Sequence, residues 1–173
     1  MMPIFYTILL IIVLQRIFEL FYARRNEKKM KQKGALEFGA GHYKWIVLLH
    51  VLFFVALLVE VHQLNGTFGI AWPLFLFLFI MAQIVRIWAL KSLGPYWNTK
   101  IIVLPGAEKI ALGPYRFLPH PNYLVVAIEI LALPLIFGAW RTALIFTVAN
   151  ALLLIFVRIP AEEQALEMLK TKR

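Results

Sequence analysis

IAWPLFLFLFIMAQIVRIWAL, residues 70–90, decides the architecture. Crossing a bilayer core of about 30 Å takes roughly 20 apolar residues in a helix, and this run reaches that length with Arg86 as its single charge. Four further apolar runs flank it, at 3–22, 45–64, 123–137 and 142–157, the last two short. The whole 173-residue chain is 62% apolar or aromatic and 16% charged, with a mean hydropathy of +0.78. Soluble domains run near ~45–50% apolar and ~25% charged, so too little polar surface remains to cover a water-soluble globule. An all-α polytopic membrane bundle of about five transmembrane helices is expected, as one domain over 1–173 with a three-helix half at 1–90 and a second half at 91–173. The first run carries Arg16 and Glu19 and lacks a basic leader and a small-residue cleavage site, so it reads as a span and not a signal peptide.

Charge placement gives the orientation. Of the 18 Lys and Arg residues, all except Arg16, Arg86 and Arg141 fall in 23–44, 91–122 or 158–173. The positive-inside rule then puts the N-terminus outside and the C-terminus in the cytosol. The formal charge of +9 is thus chiefly a record of topology, and no nucleic-acid partner is expected. Asn65-Gly66-Thr67 suits a tight turn with a left-handed residue between antiparallel helices. The chain has neither Cys nor Asp, which removes disulfide frameworks, thiol nucleophiles and Asp-based triads or metal sites. No metal ligand cluster is visible, so no metal is expected.

Ionisable residues inside spans are expensive and therefore informative. Arg16 and Glu19, in QRIFEL at 15–20, are three apart and share a helix face. Glu129 is expected to pair with Arg86 or Arg16, and Arg86 lies near enough to a span end to snorkel. A non-enzymatic scaffold or small transporter is the competing class, and a transporter would place Glu129, Arg86 and Arg16 along a midplane path. His50 and His62 are more than three turns apart and cannot chelate one ion; Glu60 and His62 lie near the outer end, where water reaches them. His42 has no identifiable partner.

The segment 91–123, KSLGPYWNTKIIVLPGAEKIALGPYRFLPHPNY, differs in kind. No helical or strictly alternating period runs through it, and prolines at 95, 105, 114, 119 and 121 fix φ repeatedly. A long loop rich in Tyr and Trp is preformed and functional sooner than disordered, and could bind a small polar or planar ligand. The last span ends in RIPAEE, 158–163. Pro160 either kinks the helix or stops and restarts it; in the kinked case Arg158 and Glu162 share a face.

LGPYW at 93–97, GPYRFLPHPNY at 113–123 and RIPAEE together resemble the isoprenylcysteine carboxyl methyltransferase family of integral membrane enzymes, which is similar to the phospholipid methyltransferases. The likeness runs from about Leu90 to the C-terminus. The N-terminal half, with QRIFEL, ARRNEKKMKQKGALEFGAGHY and His50, looks like a bacterial subgroup that methylates alkylpyrones. The resemblance implies an S-adenosylmethionine site on the cytosolic side, formed by the 91–173 half. It assigns cofactor binding to Tyr115, His120, Pro121, Asn122 and Tyr123, and to a strip Ala107, Glu108, Lys109 and Ile110 acting largely through backbone. Glu162 would hold the methionyl moiety, and Arg158 would face the acceptor as the catalytic residue. It implies O-methylation of a lipophilic small-molecule acceptor drawn from the membrane lipids, foremost the hydroxyl of an alkylpyrone-type polyketide, with a prenylcysteine carboxylate or a phospholipid amine as alternatives. Pro119 stands where the family commonly has Arg before His-Pro.

Overall fold

The structure, a computed structural model, describes residues 2–107 and 110–170. Six helices follow one another: α1 (Met2–Gln32), α2 (Ala40–Gln63), α3 (Trp72–Leu93), α4 (Pro121–Ile136), α5 (Trp140–Leu153) and α6 (Ile159–Lys170). The expected all-α bundle is present. α1, α2, α3 and the continuous stretch Trp140–Glu167 are each long and apolar enough to cross a membrane. α4 has 16 residues, about 24 Å at 1.5 Å per residue, and falls short of a full crossing. Its limits are legible: Pro121 opens it where a missing N–H costs nothing, Pro134 lies in its last turn, and Gly138 at φ 68° ends it.

Two short strands add what periodicity did not announce. β1 (Leu36–Phe38), from the α1–α2 connection, pairs antiparallel with β2 (Ile101–Val103), from the long loop, with Phe38 opposite Ile101. Lys31 and Lys100 reinforce the junction by sharing Glu27 and Glu37 at 2.5–3.1 Å. Their ammonium groups, Lys31 first, hold the Glu37 carboxyl below its usual range. Asn26, buried on α1, donates to the carbonyls of Gly94 and Trp97 at 3.1 and 2.9 Å. The long loop is therefore tied to the first half of the chain.

At the opposite end Asn65 takes the left-handed conformation expected of the turn, φ 52°. Gly69 donates to the Ile136 carbonyl at 3.0 Å; a Cβ there would stand 2.4 Å from the Leu135 carbonyl oxygen, so only glycine permits this approach. Glu60 is not simply hydrated, as its position suggested. It accepts from the Arg141 and Thr142 amides at 3.1 and 2.7 Å and from the Thr142 hydroxyl at 2.6 Å. Ala139 gives α5 no side-chain cap, and the exposed N–H groups take their acceptor from α2 instead.

Phe5, Leu57, Val61, Ile136 and Phe137 are fully buried between the helices, while Phe18, Phe21, Phe77 and Phe156 point outward. Lipid is as apolar as these side chains, so helix association rests on packing and on polar links. The strongest link joins α1, α3 and α4. Arg16 binds Glu19 at 2.7 Å and Glu129 at 2.9 Å, and Arg86 binds Glu19 at 3.0 Å and both oxygens of Glu129. Gln15 and Gln83 bridge the carboxylates. Arg86 is 6% exposed and does not snorkel. Two cations and two anions that pair with one another lock the three helices together. Glu129→Ala leaves both guanidinium groups short of a partner and is expected to cost ~3–5 kcal/mol, read as a large drop in thermal unfolding temperature in detergent.

Candidate functional site

α5 does not stop at Pro160. A wider, π-helical turn at Leu154–Arg158 absorbs the missing N–H and carries the chain into α6. The helical stretch runs on through Pro160, and Arg158 and Glu162 both reach Tyr123 at the start of α4. There the Tyr123 hydroxyl donates to the Glu162 carboxylate and accepts from Arg158 Nε at 3.0 Å. Arg158 is 5% exposed, and its Nη2 donates to the Thr99 carbonyl at 3.0 Å. Its Nη1 is buried without a hydrogen-bond partner.

The remaining assigned residues gather on the same turn. Gly113 opens a short 3₁₀ turn, Gly113–Arg116, at φ 55°, and a Cβ on it would meet Ser92 Oγ at 2.0 Å, so the turn lies directly against α3. That seats Tyr115, whose hydroxyl accepts from Asn122 Nδ2 at 2.9 Å. Burial first, and then the Glu162 carboxylate, push the Tyr115 phenol above its usual range, so it stays a neutral donor. His120 stacks on Tyr123, with ring centroids 5.2 Å apart. Its Nδ1 lies 3.8 Å from Glu162 and its Nε2 3.8 Å from Glu163, beyond hydrogen-bond reach. Pro121 is buried as the first residue of α4.

Tyr115, His120, Pro121, Asn122, Tyr123, Arg158 and Glu162 thus form one group at the end of the bundle that carries the sheet. Ala107 follows a Pro105-Gly106 turn and is exposed, Ile110 is half-buried, and the hydrogen-bonded group includes neither. Glu108 and Lys109 lie outside the described residues. Thr99 and Tyr43 were not legible beforehand. Thr99 contributes through its carbonyl, which any residue has, and through a hydroxyl 3.1 Å from that of Tyr43, a contact between segments far apart in sequence. Among the described residues no cluster of His, Cys, Asp or Glu could hold a metal ion.

These features define a polytopic integral membrane protein with one buried cation, one accessible carboxylate and a tyrosine between them at one end of its helices. The chain belongs to the isoprenylcysteine carboxyl methyltransferase (ICMT) family, whose sequence pattern matches residues 74–168, a segment that holds every one of those three groups. It is 46% identical over 168 residues to the uncharacterized protein YpbQ of Bacillus subtilis (strain 168), covering 97% of this chain and 99% of that protein. An uncharacterized protein of Haemophilus influenzae (strain ATCC 51907 / DSM 11121 / KW20 / Rd) is 30% identical over 158 residues, 91% of each chain. No solved structure matches the chain significantly.

Proposed function

We propose that this chain transfers a methyl group from S-adenosylmethionine to an oxygen of a lipophilic acceptor. The observation that carries the reading is the Arg158–Tyr123–Glu162 relay inside the family-matched segment, with Arg158 Nη1 left unsatisfied. S-Adenosylmethionine would supply an electrophilic methyl on a sulfonium. The residues present fit it: Glu162 offers a carboxylate oxygen to the donor's ammonium, and the Tyr115 hydroxyl and Asn122 amide offer polar contacts beside it. His120 and Tyr123 add stacked ring faces for a cation or an adenine.

Displacement at a sulfonium methyl needs alignment and exclusion of water more than strong chemistry from the protein. Tyr123 couples the two halves of the task, since its one hydroxyl fixes both the donor carboxylate and the acceptor guanidinium. Arg158 then holds the acceptor oxygen through Nη1. A buried guanidinium with a free N–H suits an anionic or hydroxylic oxygen and repels a cationic amine, which favours O-methylation over phospholipid N-methylation. Between oxygens, the family description itself points to a prenylcysteine carboxylate, whereas Pro119 removes a cation that such a carboxylate would use and favours the hydroxyl of an alkylpyrone-type lipid. Incubating the purified protein with isotopically labelled S-adenosylmethionine and a membrane lipid extract is expected to give a labelled lipid of increased mass; transfer only to amine headgroups would overturn the O-methyl reading.

The reading also fixes a side of the membrane. A soluble donor enters from the cytosol, so the sheet-bearing end faces inward, in agreement with the positive-inside count. A cysteine replacing Thr67 is expected to react with an impermeant thiol reagent on intact cells and one replacing Gln32 is not.

A further inference from the structure

The first half of the chain contributes a group that the family match, which begins at residue 74, does not cover. The sequence Phe38-Gly39-Ala40-Gly41-His42-Tyr43 leaves β1 and enters α2 through Gly39 at φ 65°. A Cβ on Gly39 would stand 2.1 Å from Cε1 and 2.7 Å from Nε2 of His42. The imidazole is therefore folded back onto the Gly39 backbone, where only glycine leaves room for it. Two residues beyond Phe38 in β1 stands Ala40, and two residues before its partner Ile101 stands Thr99, so the sheet brings the start of α2 abreast of Thr99.

Thr99 is also the anchor of Arg158. Its carbonyl accepts from Arg158 Nη2 at 3.0 Å while its hydroxyl lies 3.1 Å from the Tyr43 hydroxyl. His42 is the residue before Tyr43, so the Tyr43–Thr99–Arg158 chain of contacts puts it on the Arg158 side of the sheet. Lys100, on the strand side, is engaged by Glu27 and Glu37. His42 Nε2 is buried without a hydrogen-bond partner, and so is Nη1 of the 95%-buried Arg158. Buried nitrogens are ordinarily satisfied. Here one permanent donor and one imidazole nitrogen able to accept both remain open.

Resting on the methyl-transfer reading above, we infer that His42 and Arg158 form a two-point site for a weakly acidic hydroxyl of the acceptor, an enol or a phenol on a lipid. Arg158 Nη1 donates to the oxygen, and His42 Nε2 takes the proton. In the reaction the acceptor O–H bond breaks with its proton passing to Nε2. An oxygen electron pair forms the O–CH₃ bond, and the S–CH₃ bond breaks with its pair returning to sulfur as a neutral thioether. The imidazolium then releases its proton to water. A carboxylate, ionised already, would employ Arg158 and leave His42 idle, so the histidine has a task only when the acceptor is a hydroxyl.

The test uses the full chain in detergent without a methyl donor. The probe is a nitrophenol bearing a long alkyl chain, whose phenol and phenolate differ in colour, at a pH where the free probe is protonated. The wild-type protein is expected to bind it largely as phenolate. His42→Gln, which keeps an acceptor but not a base, is expected to bind the probe with about a tenfold lower ratio of phenolate to phenol, one pKa unit; added imidazole is expected to restore the colour in His42→Ala. Wild-type protein that leaves the probe protonated overturns the inference, as do variants that ionise it like the wild type. S-Adenosylmethionine titrated into the same samples separates the two readings: donor binding without probe ionisation removes only the His42 role, and absence of donor binding to the wild type removes the methyl-transfer reading itself.

Discussion

Glu162→Ala is expected to abolish measurable binding of S-adenosylmethionine to the detergent-purified protein in isothermal titration calorimetry. One Glu162 oxygen accepts from the Tyr123 hydroxyl, while the other, 3.8 Å from His120 Nδ1, is not hydrogen-bonded to that ring. An ammonium arriving there gains a charge-assisted hydrogen bond in a site only partly open to water, Glu162 being 29% exposed in its side chain. Truncation removes that bond, removes the charge that attracts a cationic ligand, and leaves the Tyr123 hydroxyl with no acceptor. The combined loss is put at about a hundredfold or more in affinity, ~3 kcal/mol. Glu163 is an internal control, because its side chain is 61% exposed and stands 3.8 Å from His120 Nε2; Glu163→Ala is expected to change donor affinity little. Glu162→Gln, which keeps an acceptor oxygen without the charge, is expected to fall between. Wild-type affinity in Glu162→Ala would remove the donor site.

The parts of this molecule that were legible in its sequence are those governed by local rules. The lengths of the apolar runs anticipate three full-length helices and a short fourth, but not that the fifth run, which also looked short, continues through Pro160 into a stretch long enough to cross. Asn65-Gly66 announces the left-handed turn it makes, and four charges inside spans announce that they pair, although not that Arg16 and Arg86 both engage Glu129. Pro160 left two outcomes open, and the choice between a kink and a break was made by the wider turn that precedes it. What could not be read is what depends on distant segments meeting. Leu36–Phe38 and Ile101–Val103 are three-residue strands with too few residues to carry a period. Glu60 caps a helix that begins 80 residues later. Tyr115, Asn122, Tyr123, Arg158 and Glu162, singled out by the resemblance, lie at one end of the bundle, while Thr99 and Tyr43 meet there through the sheet. His42 had no partner in the sequence because its surroundings are created by the β1–β2 pairing.

That division suggests how labour is shared within the chain. The segment 74–168 carries the family pattern together with the carboxylate, tyrosine and arginine. The 1–90 half supplies the strand that pairs next to Thr99 and carries His42 and Tyr43, and anchors the long loop through Asn26. Under the proposed methyl transfer, donor binding would depend on the family-matched segment, and acceptor choice on how the N-terminal half docks against it.

Arg158→Ala separates these two functions and is expected to leave S-adenosylmethionine affinity near wild type while lowering turnover by about 10²–10³-fold, the scale seen when one donor aimed at a reacting oxygen is removed. Donor affinity survives because the Tyr123 hydroxyl is the donor in its bond to Glu162 and does not need Arg158 to make it. Turnover falls because Nη1 is the open donor of the guanidinium, Nε and Nη2 being committed to Tyr123 and to the Thr99 carbonyl. The same three-way engagement predicts a difference from lysine. Arg158→Lys keeps the charge but replaces a planar fork with a single ammonium, which cannot hold Tyr123 and Thr99 in their present directions and still meet the acceptor. Its donor affinity is expected to match the wild type, with turnover recovered only in small part. Single-turnover measurements at saturating donor read the effect on the methyl-transfer step alone, and a wild-type rate in Arg158→Ala would contradict the acceptor role of this arginine.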